Sequence, residues 1–249
     1  DLRILVIAAD EILAGKMVRN VKRIIERHPL TQKMKPNNAD QWASDRFTVR
    51  RNMELRDPSM LARGITSNIT GSRADIIICD EVEVPNTCDS AEKREDLRER
   101  LSELSFVLVP DGTQLYIGTP HNYFTIYADQ PRKEIDEDQP FLKGFHSLKI
   151  PIMNERGASA WEEKYNPFKI TQMKERSGPN KFASQMMLKP VNIAEGYLDV
   201  EKLRFYDQPL DYAKEINTLF IGSKKIVSAS GWWDPAFGSN RGDKSVLAC

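Results

Sequence analysis

The chain has 249 residues, 40% of them apolar, and its 36 Lys and Arg balance 36 Asp and Glu, so the formal net charge is zero. That length allows one large domain, or one and a part, with a real core, and the balance excludes a strong basic field, so any contact with nucleic acid has to come from local patches. No run approaches the roughly 18 apolar residues of a membrane span, no signal peptide is expected, and three cysteines without CxxC spacing argue against a disulfide framework or a zinc site and for a reducing compartment.

Residues 2–9 (LRILVIAA) read as a buried strand that begins at once. Leu13, Met17, Val21, Ile24 and His28 then recur at helical spacing, which predicts an amphipathic helix from Asp10 to about His28, stopped by Pro29. Gly15-Lys16 falls after a strand, as a phosphate-binding loop would. The pattern fails, because Asp10 stands where the first glycine belongs and Met17 where Ser or Thr should follow the lysine.

Residues 31–60 form a polar excursion in which 46–51 (RFTVRR) alternates like a short strand, and residues 64–71 continue with strand-like character. Arg73 reads as a solvated arginine ahead of the next strand. Residues 74–81 (ADIIICDE) are the most informative stretch: an apolar run without alternation suits a strand buried on both faces of a parallel sheet, and it ends in two carboxylates, Asp80 and Glu81. At the carboxyl end of such a strand an Asp is suited to hold Mg²⁺ on nucleotide phosphates, and a following Glu to orient or deprotonate water. An edge strand running into an acidic turn is the plainer alternative.

A loop at 82–87 leads to a charged helix at 89–104 whose apolar edge is Leu97, Leu101 and Leu104; its charges read as a solvated face. Strands at 106–109 and 114–117 flank a turn at Pro110-Asp111-Gly112. The second runs into Gly118-Thr119-Pro120-His121, where Gly118 permits close backbone approach and Thr119 is a small polar group of the kind that senses a γ-phosphate, unless this is a plain turn. A short helix with an acidic linker is expected at 122–138, a strand at 145–152, and helices at 167–176 and 179–188, each with proline near its start. Residues 190–223 read as a linker. A new strand from Lys225 then reaches Asp234, followed by a glycine-rich turn with Asp243 and a returning strand, the way an RNase H-like nuclease begins; a hairpin with a structural acid is the alternative.

The parts are individually weak, but their order is specific. GSRADIIICDE (71–81), the charged helix, PDG (110–112), YIGTPH (116–121), FASQMMLKP (182–190) and WDPAFG with GDKS (233–245) together resemble the large terminase subunit of tailed bacteriophages over nearly the whole chain. The resemblance implies an α/β fold: a P-loop (RecA/ASCE-like) ATPase core with a mostly parallel sheet, followed by the first strands of an RNase H-like nuclease domain. It implies an ATPase domain at 1–189, truncated on its N-terminal side, with a small helical subdomain near 153–189, a linker at 190–224, and the start of the nuclease domain at 225–249. The implied function is viral DNA packaging by ATP-driven translocation of double-stranded DNA, with metal-dependent cleavage of concatemers. Asp80 becomes the Mg²⁺-binding Walker B acid, Glu81 the catalytic base, and Gly118 and Thr119 the coupling motif beside the nucleotide. Asp234 becomes the first nuclease metal ligand and Asp243 a second candidate, with Mg²⁺ or Mn²⁺ as their metal.

Double-stranded DNA, the portal protein, the small terminase subunit and a homo-oligomeric ring on the portal are the implied partners, without a membrane, in the host bacterial cytoplasm and transiently on the procapsid. Walker A and the remaining nuclease acids are expected outside residues 1–249, so the piece alone is expected to be inactive, with a first strand that has lost a neighbour and a last strand that closes no sheet. Two other readings stay open: a noncatalytic prophage remnant that binds DNA or portal, and a helicase-type motor ATPase.

Overall fold

The computed structural model describes residues 2–37, 41–192, 208–227, 232–234 and 246–248. The chain divides into two units, Asp1–Gly196 and Tyr197–Cys249.

The first unit is built on a five-stranded sheet of β1 (Ile4–Ala8), β2 (Arg46–Phe47), β3 (Met60–Gly64), β4 (Ala74–Asp80) and β5 (Leu108–Ile117) in the order β2-β3-β1-β4-β5. Pairings β1/β3, β1/β4 and β4/β5 are parallel, and only the short β2 runs antiparallel. This is an α/β fold with a mixed, mostly parallel sheet, compatible with a P-loop-like core. The apolar run of β1 explains its central place, because Leu5, Val6, Ile7 and Ala8 are all at most 2% exposed. Alternate residues face opposite sides. Val6 and Ala8 pack with Ala14, Val18 and Ile25 of α1 (Glu11–Arg27), while Leu5 and Ile7 share the other core with Ile77, Cys79, Leu97 and Leu101. The first strand therefore has both neighbours, contrary to expectation, and the edge of the sheet beside β4 is β5.

Helix α1 has close to the expected bounds, but its buried face runs through Ala14, Val18 and Ile25, one position off the expected stripe: Leu13, Met17 and Val21 are only partly buried and Ile24 is exposed. The Asp10 side chain accepts from the Leu13 N–H at 2.8 Å as an N-cap, and Gly15-Lys16 lies inside the helix, not in a loop. After α2 (Pro85–Cys88), α3 (Ala91–Glu103) is capped by Ser90 and shows the expected solvated charged face, with the exposed i,i+4 pairs Lys93–Asp89 and Arg100–Asp96. Helix α4 (Pro167–Ser177) and α5 (Pro179–Lys181), which runs into a π-helical turn at Phe182–Met186, gather a small separate core around Ile152, Ile170 and Phe182.

Several local expectations are corrected. Strand β3 ends at Gly64, and residues beyond it turn, because strand-prone side chains there meet no partner strand. Pro110-Asp111-Gly112 is not a turn between two strands but an irregularity inside β5, where the register to β4 jumps between Ala74↔Leu108 and Ile76↔Thr113. Gly112 permits it: a Cβ there would lie 3.0 Å from the Asp75 carbonyl oxygen and closer still to the Leu108 side chain. Residues 145–152 form no strand, and 122–138 hold only a single 3-10 turn, Lys133–Ile135. Strand β4 is fully buried at Ile77 and Cys79 on one face; on the other, Ile76 and Ile78 are only partly buried.

In the second unit, part of the expected linker forms an antiparallel sheet of β6 (Leu210–Ala213), β7 (Thr218–Ile221) and β8 (Lys224–Lys225). A separate pair joins β9 (Trp232–Asp234) to β10 (Val246–Ala248), antiparallel, with Asp234 opposite Val246. The expected strand from Lys225 to Asp234 is not continuous: Lys225 belongs to β8, residues 226–227 lie outside any strand, and Asp234 ends the separate β9, to which β10 returns. No helix among the described residues is long and apolar enough to cross a membrane.

Asp75 is the exception in the apolar run, and it has a structural task. Its carboxylate accepts from the Arg3 backbone N–H at 2.7 Å and from Nε and Nη2 at 2.9 Å each, which ties the first ends of β1 and β4 together. The Arg3 hydrogen bond holds the Asp75 carboxyl down, from 3.8 to about 2. A depressed carboxylate stabilises the fold above its unfolded pKa, and that contribution is lost as pH falls through the folded one. Asp75→Asn is therefore expected to cost about 2 kcal/mol near neutral pH and almost nothing below pH 2, measured by urea unfolding across pH.

Candidate nucleotide site at the ends of β4 and β5

The parallel register aligns Ile78 with Leu115 and Asp80 with Ile117, so both strands end side by side. Glu81 continues the ladder by donating its backbone N–H to the Ile117 carbonyl at 2.8 Å. It does so with φ +50°, in the left-handed region, where a side chain with a Cβ costs about 1–2 kcal/mol. Such conformations persist where the surroundings enforce them and concentrate at functional sites. The backbone turns sharply out of the sheet here, directly after Asp80.

Both carboxylates are partly buried, and burial pushes each above its usual range; for Glu81 the neighbouring Asp80 charge adds to the effect. No ion pair neutralises either one among the described residues. Two desolvated acids in sequence create a negative corner that a cation would relieve. The donors are hard oxygens, which suits Mg²⁺, and two carboxylates leave most of its six positions to water and phosphate oxygens. No group of three or more His, Cys, Asp or Glu placed to hold a metal occurs among the described residues, so these two acids do not make a closed, all-protein cage.

Across from them, β5 ends at Ile117 and gives way to Gly118 and Thr119, both partly buried, and the buried Pro120. Gly118 has no room for a side chain: a Cβ would meet the Tyr127 hydroxyl and lie 3.0 Å from its Cζ. Burial raises the Tyr127 phenol above its usual range. His121 is partly buried, which lowers its pKa, and its Nδ1 lies 3.1 Å from the Gln185 side-chain amide. Asp80, Glu81, Gly118 and Thr119 are thus brought to one corner of the sheet. Asp234 closes β9 in the other unit, and Asp243 lies outside the described residues.

One acid at this corner escaped the sequence reading. Glu83 is 1% exposed and fully engaged with the segment after Thr119. The only available signal was its alternation with Val82 and Val84, which reads as an exposed acid on a loop.

The sheet face that carries Asp80 is also distinctive. Alternation places Ile76, Ile78 and Asp80 on the side where Val6 of β1 lies under α1, and on β5 the same side carries Leu115 and Ile117, 46% and 50% exposed. Helix α1 packs on β1 and β3; on β4 and β5 this face is less covered, with Ile76 and Ile78 partly buried and Leu115 and Ile117 exposed.

Carboxylates and a glycine-threonine turn thus meet at adjacent carboxyl ends of a mostly parallel α/β sheet, the edge at which such sheets place ligands. No protein-family model matches the sequence. The chain is, however, 30% identical over 221 residues to the terminase large subunit of Enterobacteria phage T3, an alignment that covers 88% of this chain and 35% of that protein. The chain is a relative of a phage terminase large subunit, as its ordered motifs indicated, and it spans about a third of the length of the protein it matches.

Proposed function

We propose that the chain supplies the metal-binding and water-activating half of an ATPase that drives phage DNA packaging. The observation that carries this reading is the pair of unpaired, desolvated carboxylates at the end of β4, with Glu81 turned out of the sheet at φ +50° beside Gly118 and Thr119. Asp80 is the Mg²⁺ ligand of the Walker B type, and Glu81 orients the attacking water and accepts its proton as the γ-phosphoryl group of ATP is transferred. Mg²⁺ held there by Asp80 would supply positive charge to offset the charge that develops on the phosphate. Thr119 responds to the state of that phosphate and passes it on to the rest of the fold.

The phosphate-holding loop has no match in residues 1–249, since Gly15-Lys16 is inside α1. We assign it to a segment outside these residues that covers the partly exposed face of Ile76, Ile78, Leu115 and Ile117, next to Asp80. In the second unit, Asp234 is the first metal ligand of an RNase H-like nuclease, with Asp243 as a weaker second, using Mg²⁺ or Mn²⁺. The partners are double-stranded DNA, the portal and the small terminase subunit, in a ring of like subunits in the host cytoplasm and on the procapsid. A noncatalytic DNA- or portal-binding role is the second reading; the absence of a matching phosphate loop in these residues favours it for the chain by itself. A helicase-type motor would use the same β4 and β5 ends but gives no role to the Asp234 hairpin.

In a polypeptide that carries this chain together with its phosphate-binding loop, Glu81→Ala is expected to abolish ATP hydrolysis and to leave nucleotide binding within about twofold, because Glu81 acts on water and not on the bound phosphates. Unchanged turnover would remove the Walker B assignment. Asp234→Ala is expected to stop metal-dependent cutting of plasmid DNA while sparing the ATPase, measured on the same preparation; persistent cutting would reject the nuclease site.

A further inference from the structure

Glu83 is the most enclosed charged side chain among the described residues, and it lies two positions beyond Glu81. An ionised carboxylate removed from water is costly unless its oxygens are hydrogen-bonded. Here three donors meet it. Oε1 accepts from the His121 backbone N–H at 3.0 Å, and Oε2 accepts from the Thr125 hydroxyl at 2.9 Å and the Ile126 N–H at 2.8 Å. No cation pairs with Glu83 among the described residues, so these three bonds are what satisfies its carboxylate.

All three donors belong to one segment, 121–126, which starts two residues after Thr119. That segment is held from its far side as well. Arg98 of α3 donates to the Phe124 carbonyl at 2.9 Å and pairs with Glu137 at 3.0 Å, while Arg132 donates to the Tyr123 carbonyl at 2.9 Å. In the middle of this bonded segment, the Asn122 side-chain oxygen is buried without a hydrogen-bond partner. A displacement of the segment that paired or exposed this oxygen would recover a bond the present arrangement leaves unmade.

We propose that Glu83 is the positioning residue that couples the carboxylate corner at the end of β4 to the segment following Thr119, and through Arg98 to α3. The proposal rests on the reading of Asp80 and Glu81 as a nucleotide site. Glu83 touches no reacting atom. It shares one short stretch of backbone with Glu81, so a movement of Glu81 shifts Glu83, and its three bonds carry the shift into residues 121–126. The same bonds fix where Thr119 sits relative to Glu81 when nothing moves.

The test uses Glu83→Gln, which keeps the shape but replaces one accepting oxygen with an NH₂ that faces a donor. Amide hydrogen exchange on the 249-residue chain is expected to show protection at His121 and Ile126 falling about 10-fold or more, with Ile77 and Leu101 unchanged. Unchanged protection at His121 and Ile126, or an equal loss across the sheet, would overturn the proposal. In the polypeptide with its phosphate-binding loop, the same variant is expected to lower kcat for ATP hydrolysis about 10-fold to 100-fold at a nucleotide Kd within about twofold of the original. Thr125→Val should move kcat in the same direction, and Thr125→Ser should restore it. An unchanged kcat in Glu83→Gln would overturn the coupling role. If the unsubstituted polypeptide hydrolyses no ATP, the nucleotide reading fails, and the exchange result still decides whether Glu83 clamps the segment.

Discussion

Parallel pairing of β4 with β5 is the constraint on which the rest of the site depends. From Ile76↔Thr113 to Asp80↔Ile117 the two strands stay in register, and Glu81 extends the ladder by one more bond before the chain leaves the sheet. A slip of one residue would turn Asp80 to the opposite face and carry Ile117 past it. The irregularity at 110–112 is the device that sets this register: it absorbs the extra residues of β5 before the aligned part begins, and Gly112 makes room for it against Asp75. At the same level of the sheet, Arg3 anchors Asp75, so β1, β4 and β5 are located relative to one another at their first ends while the carboxylates gather at their last.

The energetics of the two ends differ in kind. At the Arg3–Asp75 end a carboxylate is matched by a guanidinium and a backbone N–H, and it stabilises the fold. At the Asp80–Glu81 end two carboxylates share a partly buried corner without a counter-charge, in a backbone conformation that itself costs energy. Stability alone would not select such a corner. Glu83, immediately beyond, returns to full satisfaction with three donors. Matched and unmatched acids therefore alternate within nine residues of one strand and its exit.

Much of this was legible in the sequence. Apolar runs at 2–9 and 74–81 and the leucine edge of the 89–104 helix each report a local preference that tertiary packing then reinforces, whereas the helical spacing of Leu13 through Ile24 gave the helix but not its buried face, which passes through Ala14, Val18 and Ile25. The carboxylate pair and the Gly118-Thr119 turn were legible because they combine residue type with position at a strand end. What was not legible depends on long-range pairing. The run at 145–152 has the composition of a strand but no neighbour to bond, and Pro110-Asp111-Gly112 has the composition of a turn yet sits within a strand because β4 passes beside it. The partial exposure of Ile76 and Ile78 was hidden for the same reason, since an apolar run does not say which of its faces will be covered. Glu83 was missed because its partners lie some 40 positions away in sequence.

The central claim is that the end of β4 is a cation site with the end of β5 beside it. The most direct measurement is a Mn²⁺ titration of the 249-residue chain followed by paramagnetic broadening of its backbone amide resonances. Broadening is predicted to begin at residues 80–82 and to reach Gly118 and Thr119 next, before any other acidic surface responds. Broadening that appears first on the acidic faces of α3 or the 134–138 segment, with residues 80–82 and 118–119 unaffected, would contradict it.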